Sequence, residues 1–221
     1  MSRRTLNKSE GNSNPATKFL EWKSNDKCFA YYDKEIKGTV NVVLPLKIQF
    51  LEHFHSVKGW HDASQSGIYS NEVKFISKEP LDVKSFKGGA IAKGFYKEIK
   101  GTVNASGGKY HRSIYAIIDG EVVQISLKGA AVSSYSDFMA ANEGKIEHAF
   151  MEVKECLEQK KGSIKYSVPV FTIGAAFSKP EMDLANDKYT EIVNYFDAYT
   201  KKEVVEDQDT VEDAVEDDLD F

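Results

Sequence analysis

The sequence predicts a mainly β domain with helices added toward its C-terminus. Three observations carry that expectation. Between Cys28 and Lys128, short runs rich in β-branched and aromatic residues alternate with turn residues. Two of these runs, Tyr110–Ile118 and Val122–Leu127, are separated by Asp119-Gly120-Glu121, and Asp-Gly between such runs marks a β-hairpin. After Gly129 the apolar spacing shifts from strand-like to helical.

Taken in order, residues 1–17 are rich in Ser, Asn, Lys and Arg and read as a flexible basic arm. Phe19-Leu20-Glu21-Trp22 is a short apolar-aromatic segment. Cys28–Tyr32, Val40–Leu51, Gly67–Ile76, Leu81–Phe86 and Ala90–Phe95 follow as strand-like runs, and many short strands separated by turns suggest a small barrel or sandwich. Residues 136–160 read as helix, because Phe138, Met139, Ile146, Phe150, Val153 and Leu157 recur near helical spacing. Ser163–Phe177 is strand-like again, with Ile164, Tyr166, Val168 and Val170 alternating. Pro180 opens a last helix through Lys201, with Met182, Tyr189, Ile192, Val193 and Phe196 on its apolar side. The expected division is an arm at 1–17, a folded domain at 18–202 whose helical extension covers 136–202, and a disordered tail at 203–221.

One octapeptide, Lys34 to Asn41, recurs letter for letter as Lys97 to Asn104. A duplication and a coincidence of two polar connectors are both open. The second is favoured, because the flanks share little and a pattern this short is compatible with two secondary structures.

The net charge of −5 conceals an asymmetry. Residues 203–221 carry ten acids and no Lys or Arg. All 29 basic residues lie in 1–202 against 24 acids, so a body of +5 precedes a tail of −10. A mildly basic body can hold a polyanion. No run of 18 apolar residues occurs, and the basic N-terminus leads into polar residues rather than an apolar signal core. Two cysteines without CxxC spacing, Cys28 and Cys156, exclude a disulfide framework and fit a reducing, cytoplasmic setting.

Signatures of catalysis are missing. There is no P-loop, GxGxxG or GxSxG, and Gly107-Gly108-Lys109 reads more simply as a turn before a strand than as a phosphate cradle. His53, His55 and His61 lie close enough for a zinc site, but no HExxH or cysteine pair accompanies them. The expectation is therefore a non-enzyme without cofactor or metal. Single strands are bound by a basic groove with aromatic rings on its floor, the rings stacking bases and the cations neutralising phosphates. Lys58, Trp60, Tyr69, Lys74, Lys84, Phe86, Lys93, Tyr96, Lys109, Tyr110, Arg112 and Tyr115 interleave the two residue types in that way. On a strand, Tyr110 and Arg112 share a face, as do Lys84 and Phe86. Strand aromatics are often core residues, so about half of those named belong in the interior. The tail ends Asp217-Asp218-Leu219-Asp220-Phe221, an acidic segment whose terminal ring and carboxylate suit a basic-rimmed pocket on a partner.

In its body and its tail the chain resembles the OB-fold single-stranded DNA-binding proteins of bacteriophages. Phe19-Leu20-Glu21-Trp22-Lys23, Tyr31-Tyr32-Asp33-Lys34, Val57-Lys58-Gly59-Trp60, Gly67-Ile68-Tyr69-Ser70-Asn71-Glu72-Val73, Gly107-Gly108-Lys109-Tyr110 and Leu127-Lys128-Gly129-Ala130-Ala131 carry the likeness, over roughly residues 15–140. The resemblance implies a five-stranded OB barrel, with Lys97–Ser106 in the place of the helix between its third and fourth strands. It also implies a role in phage DNA replication, recombination and repair. The protein would coat exposed strands and recruit polymerase, helicase or primase through its tail. Two competing classes are a structural or interaction protein whose tail serves only solubility, and a metal-dependent enzyme built on the three histidines.

Overall fold

The computed structural model describes residues 14–212, with side chains through residue 198. Among these residues the element order is β1 (Lys18–Lys23), β2 (Cys28–Asp33), β3 (Gly38–Val42), β4 (Leu46–His61), β5 (Ser66–Ser70), β6 (Leu81–Ser85), β7 (Gly89–Gly94), α1 (Tyr96–Ala105), β8 (Gly108–Ile118), β9 (Glu121–Lys128), α2 (Ala130–Ala141), β10 (Ala149–Lys161), β11 (Ile164–Ala176) and α3 (Lys179–Glu212). Strand makes up 51% and helix 23%, so the protein is mainly β, as its sequence predicts.

The strands form an open mixed sheet in the order β3-β2-β1-β9-β8-β4-β5-β6-β7, with β10 and β11 attached beside β4. β1 lies parallel to β9 and the other pairs are antiparallel. β4 organises the sheet. It pairs with β8 from Gln49 to Gly59, with β10 from Leu46 to Ile48, and with β5 from Gly59 to His61.

Side chains opposite each other across a ladder point to the same face. On one face Leu20, Trp22, Phe29, Ile114, Ile125 and Leu127 lie under Tyr135 and Phe138 of α2 and under Met151, Val153 and Phe171 of the β10–β11 hairpin. Farther along the same face, Val57, Ile68, Leu81 and Val83 lie under Val103 of α1. This face is covered from end to end. On the other face α3 covers one half, with Ala185 and Ile192 over Leu51, Phe54, Tyr115, Ile117 and Val122. The Phe196 ring stacks on Phe54 at 4.0 Å between centroids. Beyond α3 that face buries Ser56, Ser113 and His111 and then opens to solvent at Trp60, Tyr69 and Phe86.

Several expectations are met for reasons visible in the backbone. Asp119 and Gly120 both have positive φ, 52° and 81°, which is what a two-residue turn between twisted strands requires. The repeated octapeptide takes two structures. In the first copy the Asp33 carboxylate accepts the N–H groups of Glu35 and Ile36, which shapes a turn before β3. In the second copy Tyr96, Ile99 and Val103 fall on one helical face and pack on the sheet, so the same eight letters form most of α1. α1 stands between β7 and β8.

Other expectations are corrected. Residues 149–160 are not helix: they form β10. Their apolar spacing fits either period, and pairing decides. Met151 and Val153 are fully buried and bond to Ile48 and Leu46 of β4, whereas Leu157, expected on a helical apolar face, is 57% exposed. α2 accordingly starts at Ala130 rather than 136. The run expected at 40–51 divides into β3 and β4. Asn14–Thr17, assigned to the flexible arm, are held on the sheet. The Ala16 N–H donates to Asn14 Oδ1, the Thr17 N–H donates to the Val122 carbonyl, and Ala16 is buried. α3 continues to Glu212, beyond the boundary at 203, because no glycine or proline after Pro180 interrupts it. Residues 1–13 of the arm and 213–221 of the tail, including the partner-binding candidates Asp217, Asp218, Leu219, Asp220 and Phe221, lie outside the described residues.

Candidate nucleic-acid interface

The open part of the sheet is where β4, β5 and β6 run together at their ends. Trp60 lies opposite Gly67, and the Phe86 N–H donates to the Gly67 carbonyl, which places Trp60, Gly67 and Phe86 in one row across three strands. Two strand spacings separate the rings, about 10 Å. Gly67 leaves room in the middle: a Cβ there would stand 3.1 Å from the Phe86 ring, which would have to shift by a few tenths of an ångström. Tyr69, two residues on, stacks on Phe86 with centroids 4.6 Å apart and planes 25° apart. All three rings face solvent, with Trp60 53%, Phe86 73% and Tyr69 38% exposed. Apolar rings left in water in a row, two already stacked on each other, offer surfaces on which further rings can stack.

Lysines flank this row on the same face. Lys84 pairs with Tyr69, and Lys109 pairs with Lys58. The Lys84 ammonium meets Asp82 at 2.7 Å, an exposed ion pair of small net energy that a phosphate can replace. The Lys109 side chain is exposed and its ammonium makes no hydrogen bond or ion pair among the described residues. Lys58 is half-buried, and its Nζ donates to Gln124 Oε1 at 2.9 Å. Burial holds its ammonium below the usual lysine range. The Glu72 carboxylate steadies this corner by accepting Tyr115 Oη at 2.8 Å and Gln124 Nε2 at 2.9 Å.

Trp60 is positioned by backbone contact. A Cβ on Gly59 would meet the Gly107 carbonyl oxygen at 2.4 Å, and one on Gly107 would meet the Trp60 carbonyl oxygen at 2.2 Å. Gly107-Gly108 is therefore a close-approach turn leading into β8, in keeping with the simpler sequence reading. Substituting Gly59→Ala is expected to cost about 2 kcal/mol or more, since backbone rather than a flexible side chain must move. Urea denaturation checks this, and an unchanged midpoint would refute it.

Of the twelve nucleic-acid candidates named from sequence, Lys58, Trp60, Tyr69, Lys84, Phe86 and Lys109 come together here. Lys93, exposed on β7 and opposite Asp82 in register, lies on the same face at the sheet edge. The other five do not join them. Lys74 is ion-paired with Glu52 at 2.6 Å, and that bond raises its pKa. It lines a separate groove of about 870 Å³ between β4, the segment after α2, and α3. Tyr115 is fully buried under α3, and burial drives its hydroxyl far above the ordinary range. Tyr96, Tyr110 and Arg112 belong to the covered side: Tyr96 packs with α1, and Tyr110 and Arg112 grip His55. Tyr110 and Arg112 do share a face, as alternation predicts, but it is the face that α1, α2 and the β10–β11 hairpin cover. Three of the six aromatics are thus open and three are not, in line with the expected half.

Three further residues on the open face are not among the twelve candidates. Phe19 is 50% exposed on β1, and Tyr32 and Lys128 are exposed on β2 and β9. A signal existed for Phe19, since strict alternation in Phe19-Leu20-Glu21-Trp22 separates it from the buried Leu20 and Trp22.

The three histidines are parted by their hydrogen bonds. His53 Nδ1 bonds to Tyr135 Oη at 2.9 Å, and His61 Nδ1 bonds to Ser64 Oγ at 2.8 Å. Arg112 can only donate, so His55 Nε2 accepts from it at 2.9 Å, and His55 Nδ1–H must donate to Tyr110 Oη at 2.7 Å. Burial, aided by the Arg112 charge, pushes the pKa values of His53 and His55 down to about 4. Among the described residues no group of three or more His, Cys, Asp or Glu side chains converges as a metal site, and no helix is long and apolar enough to cross a membrane.

Comparison with protein-family models, with curated proteins and with solved structures found no match.

Proposed function

We propose that the protein binds single-stranded DNA without sequence preference, the bases stacking on Trp60 and on the Tyr69–Phe86 pair. The row Trp60–Gly67–Phe86, with its rings exposed and lysines on both sides, carries this reading. Base stacking on exposed rings is tolerant of sequence because every base has a π-face, and lysines beside the rings neutralise phosphates. No catalytic step is part of the proposal. The protein is placed with the phage OB-fold single-strand binders, acting in replication, recombination and repair in the cytoplasm of a host. It would recruit replication proteins through the tail. Strands β4, β5, β6–β7, β8 and β9, with α1 before β8, are assigned to a partly open OB arrangement. The position of α1 and the bent, doubly paired β4 support that assignment.

A fluorescence titration with oligo-dT at two salt concentrations tests the function. Affinity is expected to fall about tenfold or more between about 50 and 200 mM salt, because bound phosphates release counterions. Deleting residues 203–221 removes ten negative charges and is expected to tighten binding. If the truncated protein bound no oligonucleotide at low salt, the proposal would be lost.

A further inference from the structure

At the end of the open face remote from Phe86 lies a small notch of about 200 Å³ between β1 and the turn after it, β8, β9, the start of α2, and Tyr166 and Ser167 of β11. Ser126 and Lys128 of β9, His111 of β8, and Ala130 and Ala131 at the first turn of α2 line it. Register puts these strand residues on the same face as the ring row: His111 pairs with Ser56 and Lys128, and Lys109, two residues before His111, pairs with Lys58.

Three features converge in this notch. Ser126 is 94% buried by its 6% exposure, lines the notch, and its Oγ has no hydrogen-bond partner. A buried hydroxyl without a partner is unusual, because its desolvation is not offset. α2 is twelve residues long, and its cap is Gly129, which contributes no side-chain hydrogen bond. The first N–H groups of α2 therefore lack a side-chain acceptor, and the helix dipole favours negative charge there. The Lys128 side chain is exposed and its ammonium makes no hydrogen bond or ion pair among the described residues, although its charge reaches the Glu21 carboxylate. Glu21 is the carboxylate that lines the notch, and its Oε2 is engaged by Lys23 at 2.9 Å. The His111 ring donates Nδ1–H to the Lys109 carbonyl at 2.9 Å.

An unpartnered hydroxyl, a helix N-terminus with no side-chain cap and an ammonium in no ion pair, all belonging to residues that line or adjoin one small space, make up the complement of a phosphate. We infer that this notch seats a backbone phosphodiester of the bound strand, fixing the end of the strand that leaves the aromatic row. The notch's role rests on the strand-binding function proposed for the open face. The rings hold bases, and the notch holds a phosphate beyond them, which gives the face a direction along the sheet from β6 toward β9.

Full-length Ser126→Ala, Ser126→Val and Lys128→Gln variants test this by oligo-dT titration, with Trp60→Ala as the reference. Lys128→Gln is expected to weaken binding about three- to tenfold and to lower the salt slope by about one. Ser126→Val, which fills the notch, is expected to weaken binding several-fold with no change in net charge. Ser126→Ala is expected to weaken binding while keeping or raising the melting temperature, since it removes a hydroxyl with no partner in the free protein. If Trp60→Ala weakens binding but the Ser126 variants and Lys128→Gln bind like wild type, the notch is not a phosphate site, although the strand-binding face stands. Loss of melting temperature alongside binding in both Ser126→Ala and Lys128→Gln would assign these residues to the fold and overturn the inference. If wild type itself binds no oligo-dT, the strand-binding function fails and the notch with it.

Discussion

Trp60→Ala is expected to weaken oligo-dT binding by about ten- to a hundredfold, in line with roughly 1–3 kcal/mol for one base stacked on an aromatic ring. The expectation follows from position. Trp60 is half exposed, belongs to none of the buried clusters, and stands in a row with Phe86 across Gly67. Its removal therefore leaves the core untouched, and the circular dichroism spectrum and melting temperature should not change. Trp60→Phe should recover most of the affinity because it keeps a π-face. The fluorescence signal also separates the two tryptophans. The sequence suggests that Trp22 and Trp60 would both report stacking, but Trp22 is buried, sits edge-on to Phe29 at 5.0 Å and donates Nε1–H to the Ser167 carbonyl. Quenching by oligo-dT should come from Trp60 and vanish in Trp60→Ala. Undiminished quenching and affinity in that variant would remove the ring row from the binding site.

Stability is expected to fall steeply as pH drops from about 6.5 toward 4, before most carboxylates titrate. His53, His55 and His111 all have pKa values pushed down to about 4, in each case first by burial, against an ordinary value of 6.5. Between those limits the unfolded chain binds protons that the folded chain refuses. Stability from the neutral rings is therefore complete above about 6.5 and is lost as pH falls through the folded values. For His55 the cause is direct: a protonated ring cannot accept the Arg112 hydrogen bond. One pKa unit corresponds to about 1.4 kcal/mol, so the three rings together account for a loss on the order of several kcal/mol. Urea denaturation at about pH 7, 5.5 and 4.5 measures it. A midpoint that stays flat down to about pH 5 would show that these imidazoles are not held neutral by the fold.

Local chemistry made much of the fold legible. The Asp119-Gly120 hairpin, the strand runs from Cys28 to Leu127, the strand over Ser163–Phe177 and the helix that begins at Pro180 all follow from turn residues and alternation. Those signals lie within a few residues of each other in the chain. The failures share one cause. Residues 149–160 satisfy a helical spacing on paper, and backbone pairing, with β11 along their length and with the edge of β4 at Met151–Val153, turns them into a strand. The octapeptide repeat shows the same dependence, since identical letters become a turn and strand beside Asp33 and a helix where Tyr96 can pack on the sheet.

The candidate interface divides in the same way. Alternation determines that Lys84 and Phe86 share a face, that Tyr110 and Arg112 share a face, and that His53 and His55 do. It cannot say which of those faces α1, α2 and the β10–β11 hairpin will cover, because covering is a contact between distant segments. Tyr115 and Trp60 look alike in sequence, each an aromatic near lysines, yet α3 lies over the first and the second is half exposed. What the sequence by itself determined is the β class, the turn positions, the body of +5 and the tail of −10, all of which are local or additive properties. Which rings meet solvent, and which lysines stand beside them, was decided only when helices settled on the two faces of the sheet, burying the larger apolar area and leaving part of one face in water.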